Sequence, residues 1–154
     1  MTRVVLQMGV TLDGYVAGPG GEGDWGLPAE DPDVRAWKVA SLSKVGTHIM
    51  GRVTYEQMAA HWPTATGDYA APMNDVPKVV FSKTLPTADW ASSRIARGDL
   101  TQEIAALKSE PGGDIIAHGG AAFAQALSGL GLIDEYRLVI HPVALGNGLP
   151  LSRT

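Results

Sequence analysis

Three junctions in this 154-residue chain collect residue types that hold anions. Gly51-Arg52-Val53-Thr54 follows the apolar run Thr47–Met50. Ser82-Lys83-Thr84 closes the run that starts at Pro77. His118-Gly119-Gly120-Ala121-Ala122 follows Asp114–Ala117. A glycine has no Cβ, so a glycine pair lets backbone amides come close to a ligand. At the start of a helix those amides lack intrahelical partners and carry the positive end of the helix dipole, which suits a phosphate. Arg52 and Lys83 add two cations. Taken together, the junctions predict a site for a ligand with several phosphates. Taken singly, Gly119-Gly120 reads equally as a tight turn, and Arg52 and Lys83 as solvated surface charge. The glycines fit neither Gly-x-Gly-x-x-Gly nor Gly-x-x-x-x-Gly-Lys-[Ser/Thr], so neither common phosphate-binding fingerprint is present.

Proton chemistry has one candidate. Asp24 and Glu30 bracket Trp25-Gly26-Leu27-Pro28 in a glycine-rich stretch. A carboxylate beside a tryptophan in an apolar pocket is held protonated to higher pH and can handle protons. Glu30 reads so, or as a residue that favours the dipole of the following helix. Asp31 reads as that helix's cap. Asp13 reads as a turn former. His48 and His141 lie inside strand patterns and read as hydrogen-bonded structural histidines. His118 stands next to the glycine pair, where it could touch a ligand without a catalytic role. The four histidines lack metal-ligand spacing, and no cysteine is present to supply a thiolate or a disulfide. No Gly-x-Ser-x-Gly elbow occurs, which argues against a hydrolase.

The elements that must position these residues follow from hydrophobic pattern. Residues 3–10 are β-branched and apolar and predict a buried strand. Residues 11–30 predict a long loop, of the kind that often forms a lid. Asp31-Pro32 predicts a helix start, with the helix running to about residue 45 and burying Val34, Trp37, Val39, Leu42 and Val45. Strands are expected at 47–50, 77–82, 114–117 and 134–143. Helices are expected from 51 to 62, from Asp99 with an Asp-x-x-Gln cap, and over 121–130. Apolar strands alternating with helices argue for an α/β domain with a largely parallel sheet, in which ligands bind at the carboxyl ends of the strands.

Composition sets the outer bounds. The length is that of one domain, residues 1–154. The chain is 45% hydrophobic and 18% charged, enough for a sizeable core. A net charge of −4 without a Lys/Arg stripe argues against nucleic acid as a partner. No segment has the length of a membrane span or the pattern of a signal peptide, so a cytoplasmic location is expected and no membrane partner.

TLDGYVAG after the first strand, IMGRVTYE, VVFSKTL, IIAHGGAAFAQAL and LIDEYRLVIHPVALGNG occur in an order that covers nearly the whole chain. In this the chain resembles the dihydrofolate reductase-like superfamily, and within it stand-alone relatives of the reductase domain of riboflavin biosynthesis. The resemblance implies a three-layer α/β/α fold with a mostly parallel sheet, short of the one or two strands that relatives add after Pro150. It implies NADPH as cofactor. Gly119, Gly120, Ala121 and Ala122 would approach the pyrophosphate, with Gly51, Arg52, Val53 and Thr54 on its other side. Arg52 would lie near the adenosine 2′-phosphate. Ser82 and Lys83 would border the ribose and that phosphate, and Gly9, Val16 and Ala17 the nicotinamide. Trp25-Gly26-Leu27-Pro28-Ala29-Glu30 matches the stretch that grips the pterin in folate reductases, which would make Trp25 and Glu30 catalytic. The implied activity is hydride transfer to a small heterocycle, either pterin-like or a ribosylated or ribitylated pyrimidine, in a homodimer. The alternative is a non-catalytic nucleotide-binding or dimeric interaction module on the same fold.

Overall fold

The computed structural model describes residues 2–21 and 31–151. Trp25 and Glu30 lie outside the described residues. Six strands form one sheet: β1 (Val4–Thr11), β3 (Val45–Gly51), β4 (Lys78–Phe81), β5 (Ser93–Ala96), β6 (Asp114–Ala117) and β7 (Glu135–His141). Their order is β5-β4-β3-β6-β1-β7, and every neighbouring pair runs parallel. Two short strands, β2 (Tyr15–Ala17) and β8 (Leu149–Pro150), form a small antiparallel pair beside β1.

The helices are α1 (Pro32–Leu42), α2 (Arg52–His61), α3 (Ala70–Asp75), α4 (Leu100–Ser109) and α5 (Ala121–Gly129). Both faces of the sheet are covered, as continuous apolar strands require. On one face Leu6, Ile49, Val79 and Ile115 pack against Ile104 and Leu107 of α4 and Ala124 and Leu127 of α5. On the other, Met50 and Val80 pack against Leu42 of α1, Tyr55 of α2 and Met73 of α3, with Trp90 closing the layer. The result is the three-layer α/β/α arrangement that the resemblance implies. Among the described residues β7 is the last strand on its side of the sheet, where the resemblance anticipates more.

Capping chemistry divides the helices. Asp31 accepts from the Asp33 amide at 2.9 Å to start α1. Asp99 accepts from the Gln102 amide at 3.2 Å to start α4, as the Asp-x-x-Gln spacing predicts. The helices α2 and α5 begin instead at Gly51 and Gly120, and neither has a side-chain cap.

Some elements depart from expectation. Helix α1 ends at Leu42, and Val45 opens β3 instead of extending the helix. Trp37 is 42% exposed, so it does not belong to the buried face of α1. Helix α3 has the poor helical sequence AAPMND and no side-chain cap. Tertiary bonds to its carbonyls hold it. His48 Nε2 lies 2.9 Å from the Pro72 oxygen, and Lys78 Nζ donates to Met73 O at 3.0 Å and Asn74 O at 2.6 Å. The Lys78 side chain is buried, its amine lies 4.3 Å from the Trp90 ring centroid, and burial pushes its pKa down to about 8. Trp90 Nε1 in turn donates to Asn74 Oδ1 at 2.8 Å.

Candidate functional site

Sheet order brings the sequence-predicted junctions into a row. The strands β4, β3, β6 and β1 are consecutive neighbours. Ser82-Lys83, Gly51–Thr54, Gly119–Ala122 and Gly9 therefore follow one another along the carboxyl side of the sheet. The starts of α2 and α5 abut. The Gly51 amide donates to the Gly119 oxygen at 3.5 Å. A Cβ at Gly120 would stand 3.4 Å from Thr54 Oγ1, and one at Gly51 would stand 3.3 Å from Phe123 Cβ. Gly119 has φ +102°, a conformation that favours glycine, and the Gly119–Gly120 peptide is cis. Two uncapped helix N-termini thus present open first-turn amides side by side. That arrangement can hold a pyrophosphate.

The flanking side chains fit such a ligand unequally. Arg52 is about half exposed and donates to Glu56 at 3.0 Å, so an incoming phosphate competes with a surface carboxylate. Lys83 and Val53 are exposed, and Thr54 is buried against the α5 start. Ser82 Oγ accepts from the Thr84 and Leu85 amides at 3.2 and 3.0 Å, which makes it the former of the turn that carries Lys83. Val16 and Ala17 are buried in β2. A Cβ at Gly9 would meet His141 Nε2 at 2.9 Å, so any larger residue there would push the His141 ring aside.

A cleft of about 220 Å³ opens beside Gly9, on the sheet face that carries α1 and α3. Gln7, Lys38, Trp62, Tyr69, Met73 and His118 contribute to its lining. They come from separate segments with no shared motif, so only His118 among them is visible as a candidate in the sequence. Gln7 is fixed by a chain of bonds. Arg137 Nη1 donates to Ser41 Oγ at 2.7 Å, and Ser41 Oγ donates to Gln7 Oε1 at 3.1 Å.

His118 is fixed too. Its Nε2 lies 2.7 Å from His48 Nδ1, and His48 Nε2 lies 2.9 Å from the Pro72 carbonyl. A carbonyl only accepts, so His48 carries its proton on Nε2 and accepts at Nδ1. His118 must then carry its proton on Nε2 as well, leaving Nδ1 as a bare acceptor. Burial pushes the His48 pKa down to about 4, with the Lys78 charge adding to the effect, and burial pushes the His118 pKa down to about 3, with charge on His48 adding there. Both rings are neutral near pH 7. Among the described residues no group of three or more His, Cys, Asp or Glu side chains could hold a metal, and no helix is long and apolar enough to cross a membrane.

An α/β sheet of this order, with paired helix starts at its carboxyl side, is the dihydrofolate reductase-like fold. The family profile of the RibD C-terminal domain matches residues 2–153, and the chain belongs to that family. It is 34% identical to the uncharacterized protein YyaP of Bacillus subtilis (strain 168), with 97% of this chain and 79% of that protein covered. Among solved structures, a protein of Shewanella sp. PV-4 provisionally assigned to riboflavin biosynthesis superposes with a TM-score of 0.78 at 25% identity, covering 99% of this chain and 84% of that one. Dihydrofolate reductase of Enterococcus faecalis, solved with NADP(H), shares the fold with a TM-score of 0.58 at 16% identity, over 96% of this chain and 77% of that one.

Proposed function

We propose that this protein is an NADPH-dependent reductase that passes hydride to a small heterocycle. The carrying observation is the pair of uncapped helix starts at Gly51 and Gly120, which adjoin a largely apolar cleft at Gly9. The amides of Gly120, Ala121 and Ala122 would hold the pyrophosphate, with Gly51, Val53 and Thr54 opposite. Arg52 and Lys83 would take the 2′-phosphate, and Ser82 would shape the turn beside the ribose. Gly9, Val16 and Ala17 would border the nicotinamide, at the mouth of the cleft. The bound cofactor supplies the hydride. The chain supplies orientation, an apolar wall and fixed polar groups around the acceptor. Glu30, in the same sequence stretch as Trp25, is the proposed proton-handling carboxylate.

A ligand that binds only the folded state raises the melting temperature. NADPH is expected to raise it clearly, and NADH to raise it less. Arg52→Ala is expected to weaken NADPH roughly tenfold, the scale of one charge-assisted contact, and to leave NADH nearly unchanged. Equal losses for the two cofactors would remove Arg52 from the 2′-phosphate. No stabilisation by either would remove the cofactor reading itself.

The same reading includes a homodimer. The strand β7 exposes Tyr136 (45%), Leu138 (37%) and Ile140 (63%) on one side, and an edge with apolar side chains invites pairing. Sedimentation of the pure protein is expected to give twice the monomer mass. A monomer at micromolar concentration sinks that part.

A further inference from the structure

The cleft carries two polar atoms with no partner among the described residues. Gln7 spends its oxygen on Ser41, so its Nε2 amide remains as a donor. His118 spends its Nε2 proton on His48, so its Nδ1 remains as an acceptor. Neither atom is sealed from solvent. The one sealed, unpartnered side-chain polar atom among the described residues is Ser93 Oγ, at the opposite end of the sheet. Both residues line the cleft.

Register places the two side by side. Strands β1 and β6 pair with Val5 opposite Ile116 and Leu6 opposite Ala117. One step on, Gln7 stands opposite His118, and side chains two apart on a strand share a face. Neighbouring strands are about 4.8 Å apart, roughly twice the spacing between the nitrogen and oxygen of one amide, and both side chains are long enough to close that gap. Each is also locked from behind, Gln7 through Ser41 and Arg137, His118 through His48 and Pro72. Locked polar groups lose little freedom on binding and discriminate strongly between ligands that match them and ligands that do not.

The geometry points to Gln7 and His118 as a donor–acceptor pair that reads the amide edge of an uncharged ring, an N–H next to a C=O. The ligand N–H donates to His118 Nδ1, and the ligand carbonyl accepts from Gln7 Nε2. The ring body lies against Met58, Trp62 and Met73. A carboxylate meets a lone pair at His118 and is rejected. An N-alkylated ring lacks the donor and is rejected too. The assignment rests on the reading of the cleft as the substrate site, and it makes Gln7 and His118 the residues that choose which ring edge enters it.

The test uses the full chain labelled with ¹⁵N-histidine and the probe 2-pyridone, with N-methyl-2-pyridone as its donor-free twin. In the free protein the imidazole ¹⁵N resonances are expected to show both rings neutral with Nε2 protonated. Adding 2-pyridone is expected to move the His118 Nδ1 resonance upfield, as an accepted hydrogen bond does, and the N-methyl twin to leave it in place. His118→Gln keeps a donor for His48 and deletes the Nδ1 acceptor, and it is expected to weaken 2-pyridone roughly tenfold, the scale of one hydrogen bond with a desolvated partner. An unmoved Nδ1 up to the solubility of 2-pyridone overturns the pair, as does an equal response to both probes. A parallel thermal shift with NADPH separates the two readings. If NADPH stabilises and Nδ1 stays still, the pair fails and the reductase stands. If Nδ1 moves and NADPH has no effect, the pair stands and the reductase fails.

Discussion

Gly120→Val is expected to lower NADPH affinity at least a hundredfold while the protein stays folded. The residue has φ −71° and ψ −161°, an extended conformation that valine adopts without strain. Its Cβ would stand 3.4 Å from Thr54 Oγ1, a tight contact that a small shift relieves. The cost to the free protein is that of a poorer N-cap, about 1 kcal/mol, or a few degrees in melting temperature. The ligand has no such room. The two methyls fill the space in front of the α5 amides, where a phosphate oxygen must come within hydrogen-bond distance. Losing those charge-assisted bonds removes about 3 kcal/mol or more, which is the hundredfold. Gly119→Ala makes the contrast. There φ is +102°, and a Cβ would stand 2.7 Å from Met8 Cε, so the damage falls on the fold first. Isothermal titration with NADPH, beside a melting curve for each variant, separates the two effects. Unchanged affinity in a folded Gly120→Val protein would sink the helix-terminus argument.

The parts of this fold legible in the sequence are those written by local rules. The strands β1, β3, β4, β6 and β7 are apolar runs, and the caps at Asp31 and Asp99 are side-chain chemistry within three residues of the helix start. The glycine N-caps of α2 and α5 are legible for the same reason, and sheet order then sets them beside each other. What local rules do not write is hard to read. Helix α3 has a proline in its middle and is held by His48 and Lys78 from other strands. The strand β5 is four residues at the sheet edge with one side chain fully buried. The exposed Trp37 keeps the helical period of a buried face, and the packing ignores it. The same holds for the cleft. His48 reads as a structural histidine, and it is one. Its consequence for His118 depends on a 2.7 Å contact across 70 residues of sequence, which no spacing reveals.

That contact also predicts how acid unfolds the protein. In the unfolded chain both imidazoles take protons near the ordinary value of about 6.5. In the fold burial holds them down to about 4 for His48 and about 3 for His118. Below about pH 6.5 the unfolded state therefore binds protons that the native state refuses, and stability falls as pH falls. With two groups, the slope reaches at most about 2.7 kcal/mol per pH unit between roughly pH 6 and pH 4. By about pH 4 the loss from the two rings reaches about 6 kcal/mol, as large as the whole stability of a domain at the low end of the usual range of about 5–15 kcal/mol. The carboxylates cannot mimic this. Asp13, which accepts from Thr11 Oγ1 and the Gly146 amide, and Asp134, which accepts from the Val4 amide and Lys108, are held below the ordinary value of 3.8, so their loss comes at lower pH. Lys78 acts only on the alkaline side, between about 8 and its ordinary value of 10.5. Urea midpoints between about pH 7 and pH 4 measure the slope. His118→Gln keeps the bond to His48 and removes one of the two titrating rings, so the slope is expected to halve. A flat stability profile down to about pH 4.5 in the unaltered protein would mean that the two rings are not the buried neutral pair that their geometry requires.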